Sequence, residues 1–207
     1  MDRIAQMISN RLSLREPQKK SLHIPNELVE KLELKKDVDL VSELLKVKDD
    51  YPTCSDFERD FPSICFALAT GVGKTRLMGA FVSYLHLDNG FNNFFVLAPN
   101  LTIYNKLIED FANQANPKYI FKGIGEFAQN PPIVLTGDNY IQARLFQKQL
   151  NINIFNISKI NAETRRGAEP RIKRLSEYLG DSYFNYLSNL DDLVLLMDES
   201  HHYRAGR

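Results

Sequence analysis

The chain has 207 residues, 43% apolar and 25% charged, with Lys plus Arg equal to Asp plus Glu at 26 each. That composition is globular rather than disordered, and the neutral balance excludes a protein that holds nucleic acid mainly by its bulk field, though not one with a local basic strip. No apolar run is long enough to span a bilayer, the N-terminus lacks an apolar export segment, and Cys54 and Cys65 have no Cys or His partner at metal spacing, which predicts two reduced thiols in a cytoplasmic protein away from membranes.

Met1 to Leu14 reads as a short helix leading into a turn at Arg15-Glu16-Pro17. Residues 22–50 alternate charges with Leu and Val at helical spacing; Pro25 suits the first turn of one helix, and Asp37 to Asp39 separates it from a second. Tyr51-Pro52, Ser55 and Pro62-Ser63 punctuate a connecting stretch. ICFALA (64–69) reads as a buried strand, followed by a Gly-rich turn and a helix from Lys74 to about Leu87 that ends at Asp88-Asn89-Gly90. FFVLA (94–98) is the next strand, broken at Pro99-Asn100, and Thr102 begins the helix IYNKLIEDFANQ. IVLT (133–136) and INIFNI (152–157) are further strands, with NYIQARLFQKQ as a crossover between them. Residues 158–174 are polar and basic, RIKRLSEYLGDSYFNYLSNL is helical with an interruption near Gly180, and LVLLMD (193–198) is the final strand. Short continuous apolar strands separated by helices predict an α/β fold with a mostly parallel sheet covered by helices on both faces. The chain stops a few residues beyond an acidic strand end, where a domain seldom finishes, so the 207 residues are expected to be an N-terminal piece of a longer protein.

The sharpest local signal is LATGVGKT, Leu68 to Thr75, between a predicted strand and a predicted helix. Gly71 and Gly73 let the backbone from Thr70 through Val72 curl so that successive N–H groups face an anion. Lys74 would reach β- and γ-phosphates, Thr75 would set its hydroxyl on Mg2+, and the helix that starts here adds its own free N–H groups. The generic pattern has Gly where this chain has Leu68, a less demanding position than Gly73 beside the lysine. Asp198-Glu199 ends the final strand, which puts the first carboxylate where it can hold Mg2+ through water and the second where it can orient and deprotonate the attacking water. Either motif alone has a bland reading, a Gly-rich turn or a solvated acidic strand end. Together they predict an ATP- and Mg2+-dependent hydrolase.

LATGVGKT followed by DESH, Asp198 to His201, resembles motifs I and II of the superfamily 2 helicases and translocases, in the DEAH-like and restriction-enzyme branches. VLAPNLTIYNKLIEDF (96–111) is similar to their motif Ia, and LREPQ (14–18) resembles the adenine-recognising Q-like motif. The set ATGVGKT, LAPN and MDESHHYRA looks most like the motor (Res) subunit of type III restriction enzymes. The resemblance implies a RecA-like P-loop NTPase lobe that couples ATP hydrolysis to movement on duplex DNA, beside a methyltransferase/specificity subunit and with a nuclease far downstream. It further implies that Gln18 reads the adenine edge and that His201 couples the ATP site to a second RecA-like lobe. Pro99, Asn100 and Thr102 would contact the DNA backbone, and the second lobe would supply arginines to the γ-phosphate. Ser200 stands where the family usually has Ala, a small-for-small change.

Gln18 and Lys74 are further apart than these motifs usually are, which divides the chain into a segment 1–21 carrying the Q-like motif, a helical insertion 22–60 and the ATP-binding lobe 61–207. An RNA helicase, another P-loop ATPase, or a nucleotide-gated nucleic-acid-binding module that does not hydrolyse ATP are the rival readings; the absence of an LSGGQ-like signature disfavours a transporter ATPase, and Glu199 disfavours the inert module. Arg165, Arg166, Arg171, Lys173 and Arg174 form the densest basic run, either a phosphate contact or a solvated face balanced by nearby glutamates. Tyr119, Phe121, Phe127 and the Tyr183–Tyr186 cluster read as packing residues before stacking platforms.

Overall fold

A computed structural model of the chain describes residues 2–136, 139, 149–157, 175–176 and 181–198. In chain order the elements are α1 (Arg3–Arg11), α2 (Glu16–Leu28), α3 (Leu40–Asp50), α4 (Lys74–Leu87), β1 (Asn93–Ala98), α5 (Leu101–Ala112), α6 (Gly125–Gln129), β2 (Ile133–Leu135), β3 (Asn151–Asn156), β4 (Leu175–Ser176), β5 (Asp181–Ser182), α7 (Tyr183–Ser188) and β6 (Leu193–Met197).

Four strands form one sheet in the order β2-β3-β1-β6, and every pairing is parallel. Residue alternation along the strands sorts side chains between the two faces. Phe94, Val96 and Ala98 of β1, Ile152 and Ile154 of β3, and Val134 of β2 enter a large core with α1, α4 and α5. Phe95, Leu135 and Phe155 point the other way and meet Tyr183 and Leu187 of α7. Helices therefore lie on both faces, as continuous apolar strands require. Asp192 pins the start of the sheet: its carboxylate accepts from the Asn92 N–H at 2.8 Å and from Asn93 Nδ2 at 2.6 Å, which fixes where β6 begins against β1.

Helix α4 is the spine of the larger core. Every residue from Leu77 to Leu85 is buried, the pattern of a helix covered all round rather than along one stripe. Burying side chains such as Leu77, Phe81, Val82 and Leu85 contributes about 1.5–3 kcal/mol each. The outer side of α4 is covered by α1 and α2, and the Tyr84 hydroxyl donates to Asp2 at 3.1 Å and accepts from Asn26 Nδ2 at 2.9 Å. The N-terminal segment is thus part of the wall around α4. A smaller core of Leu28, Leu32, Val47 and Phe57 joins α2 to α3.

Several expectations change. Residues 64–69 are not a strand: the segment pairs with no strand among the described residues, and Ile64 is 41% exposed. Phe66 and Leu68 still pack on the core, Phe66 against Phe81 with ring centroids 5.0 Å apart. The alternation of a strand is present; a ladder with a neighbouring strand is not seen among the described residues. Arg15-Glu16-Pro17 is the start of α2 rather than a turn; the turn lies at Leu12 to Leu14, with Ser13 at φ 48°. Pro25 sits inside α2 rather than in its first turn, and the boundary expected after residue 21 falls within that helix. Asp39 does cap α3 as the second helix, accepting from Val41 N–H at 3.1 Å. Asn100, not Thr102, caps α5. Within the C-terminal helical stretch, Leu175–Ser176 and Asp181–Ser182 pair as a short antiparallel ladder before α7.

Candidate nucleotide site

The loop from Thr70 to Thr75 is shaped by two glycines in the left-handed region, Gly71 at φ 82° and Gly73 at φ 94°. Side chains are strained there. At Gly71 an added Cβ would meet nothing within 4 Å, so that side of the loop opens outward. Gly73 is the N-cap of α4; no side chain caps this helix and its first turn carries no acid. Such a helix end keeps N–H groups and a partial positive charge available to an anion. Lys74 and Thr75 open the helix, both half-buried. The residue types and the backbone conformation thus fit a phosphate chain.

The Q-like segment comes against this loop from below. Gln18 is 1% exposed. Its Oε1 accepts from the Arg15 backbone N–H at 2.8 Å, so the third helical residue reaches back to the N–H of the N-cap at the start of α2. Its Nε2 donates to the Gly73 carbonyl at 2.8 Å. Arg15 Nη1 reaches the Gly71 carbonyl at 3.3 Å, and Arg76, in the first turn of α4, donates to the Leu12 carbonyl at 3.2 Å. Sequence reasoning missed Arg15, although its place three residues before Gln18 was the available signal.

Asp198 follows β6 directly, and its N–H donates to the Leu97 carbonyl at 3.4 Å, so it stands beside the end of β1. Parallel sheets present ligand sites at the carboxyl ends of their strands. Pro99 and Asn100 leave that same edge; the Asn100 Oδ1 accepts from Ile103 N–H at 2.9 Å as the α5 cap, and Asn100 and Thr102 are exposed. Glu199 and His201 lie outside the described residues, as do the crossover over 140–148 and the basic run over 165–174. Tyr119, Phe121, Phe127 and Tyr183 are buried and serve the cores.

Residues 11–207 match the family described as "Type III restriction enzyme, res subunit". The chain belongs to that family. The Res-family match covers the N-terminal turn, the glycine loop, the parallel sheet and the acidic strand end together. It makes this a RecA-like lobe of a superfamily 2 motor, an ATP-hydrolysing DNA translocase of the helicase type in a family that depends on ATP and Mg2+. No curated protein and no solved structure matches the chain. Among the described residues of this Res-family lobe, no helix is long and apolar enough to cross a membrane.

Proposed function

We propose that this lobe binds ATP with Mg2+ on residues 70–75 and that its hydrolysis drives movement along duplex DNA in the cytoplasm. The observation that carries the reading is the left-handed backbone at Gly71 and at Gly73, running into a helix start at Lys74 that no side chain caps. Lys74 Nζ would neutralise the β- and γ-phosphate oxygens, and the N–H groups from Thr70 to Thr75, those of Gly71, Val72 and Gly73 among them, would cradle them. Thr75 Oγ1 and the Asp198 carboxylate would hold Mg2+, which when bound supplies charge neutralisation at the phosphate oxygens. Glu199 would take the proton of the attacking water. Gln18 belongs to the site through the Gly73 carbonyl it holds. His201 would relay the state of the site to a second RecA-like lobe of the same protein, whose arginines complete the charge on the γ-phosphate.

On the DNA side, Pro99 shapes the turn, and the Asn100 amide nitrogen and Thr102 hydroxyl would bond backbone phosphates. These contacts position without reading sequence, which suits a motor whose recognition resides in a separate methyltransferase/specificity subunit. The test is ATP turnover by the full-length protein with no nucleic acid, duplex DNA, single-stranded DNA and RNA, beside Lys74→Ala. Duplex-specific stimulation that the variant abolishes is the expected result. Turnover indifferent to every nucleic acid would overturn the motor reading.

A further inference from the structure

Gly73 presents one carbonyl with two lone pairs. One accepts from Leu77 N–H at 3.2 Å, the first hydrogen bond of α4, and the other accepts from Gln18 Nε2 at 2.8 Å. The amide cannot be turned round: the Arg15 N–H only donates and the Gly73 carbonyl only accepts, so Oε1 must face the first and Nε2 the second. A peptide group is planar and trans, so its C=O and the following N–H point in opposite directions. Holding the Gly73 carbonyl toward Gln18 therefore turns the Lys74 N–H away from Gln18, toward the N-terminal end of α4. Arg15 Nη1 likewise meets the Gly71 carbonyl at 3.3 Å, while the Val72 N–H that follows donates to the Ala69 carbonyl at 3.5 Å within the loop. Gln18 also closes the space behind the loop, since a Cβ on Gly73 would lie 2.7 Å from its Nε2.

We propose that Gln18 is a positioning residue for the phosphate loop, aligning the Lys74 N–H through the Gly73 carbonyl, with Arg15 holding the loop at the Gly71 carbonyl. This rests on residues 70–75 binding phosphate and replaces base reading as the main work of Gln18. This amide is buried and held at both ends by the protein itself, Oε1 by the Arg15 N–H and Nε2 by the Gly73 carbonyl, so its first attachment is to the loop rather than to a base. The consequence is sharp: Gln18 acts on whatever carries a phosphate chain, whatever the base.

The experiment measures equilibrium binding of ATP, GTP and inorganic tripolyphosphate, each with Mg2+, to the full chain and to Gln18→Met, which keeps the side-chain volume and loses both hydrogen bonds. All three ligands are expected to weaken together, by roughly five- to tenfold for one lost net hydrogen bond, with the ATP-to-GTP preference unchanged. Loss confined to ATP, with tripolyphosphate unaffected, would overturn positioning in favour of base reading; no change for any ligand would overturn it as well. Should Gln18→Met fail to fold, Gln18→Glu keeps the acceptor for the Arg15 N–H and loses the donor to Gly73. Its added charge weakens every ligand alike, so the ATP-to-GTP ratio decides: preserved under positioning, collapsed under base reading. Failure of the unmodified chain to bind any of the three is a different result, because it removes the phosphate site itself.

Discussion

At the scale of single residues, the same amide group often serves structure and ligand at once, and the two duties separate by substitution. Asn100 caps α5 through Oδ1, and aspartate is as good a cap at that position. Asn100→Asp should therefore leave Tm unchanged or slightly higher, since a carboxylate also favours the helix N-terminus. It loses the Nδ2 donor and sets a negative charge against DNA phosphate, so duplex affinity should fall, by roughly fivefold or more. Filter or anisotropy binding against salt concentration, beside a melting curve, reads both effects. An unchanged duplex affinity would remove Asn100 from the DNA contact. Tyr183 is a purely internal case: wholly buried, it donates its hydroxyl to Asn153 Oδ1 on β3, while Asn153 Nδ2 donates to the Phe94 carbonyl at 3.0 Å. Tyr183→Phe strips the donor from a buried acceptor and should cost about 1–3 kcal/mol, seen as a lower urea midpoint at constant m-value.

At the scale of elements, the periodicity of the strands and of α4 was legible in the sequence because it reports burial directly. β1, β3 and β6 fall within a residue of their expected spans, and the alternation of Phe94 against Phe95 carries over to the two faces of the sheet. Residues 64–69 show the limit. An apolar run encodes burial and extension, but a strand needs a partner, and partnership is a property of the whole sheet. Pro25 shows another limit: the preference of Pro for a helix start is local, and the packing of Leu22, Asn26 and Leu28 carries α2 through it. The α1–α2 turn was misplaced because Ser13 gives no sign that it adopts φ 48°. That conformation stores strain which glycine relieves, at some cost in unfolded-chain entropy. Ser13→Gly should raise stability by about 0.5–1 kcal/mol, or about 1–4 °C in Tm. Because the turn delivers Arg15 and Gln18 to the glycine loop, nucleotide affinity should hold; a stabilised variant that binds less well would show that the strained turn tunes the site.

At the scale of the whole molecule, the N-terminal segment, α4 and the sheet are one structure rather than a motor with an appendage. Asp2 and Asn26 meet Tyr84, Gln18 meets Gly73, and Lys36 beyond α2 donates to the Ser188 carbonyl of α7 at 2.6 Å. The glycine loop and the acidic strand end were legible as motifs because their chemistry demands particular residue types. The support beneath the loop was legible only as a resemblance at Gln18, since hydrogen bonds to a backbone carbonyl leave no pattern in sequence.

A fold knit this way should unfold as a unit, and a buried charge anywhere in it should appear in the stability of the whole. Asp110, on α5, is 4% exposed, and burial raises its pKa above the usual carboxylate value, against the opposing pull of Lys106 and Lys118. The sign follows from linkage. Below the unfolded pKa of about 3.9 the carboxyl is protonated in both states and carries no penalty; as pH rises through the folded pKa, the native state must hold a buried charge and stability is lost. Asp110→Asn keeps an oxygen for Asn116 Nδ2, 3.5 Å away, without that charge. The variant should therefore melt above the unmodified chain at about pH 7.5, with the difference closing toward about pH 3. Glu43 and Asp39 shift the other way, held low first by the hydrogen bonds of Lys46 and Ser42 respectively, so both proteins should still lose stability in acid. Only the difference between the two melting curves isolates Asp110. A variant that melts lower at neutral pH would mean that the charge is wanted there and that the two lysines outweigh its burial.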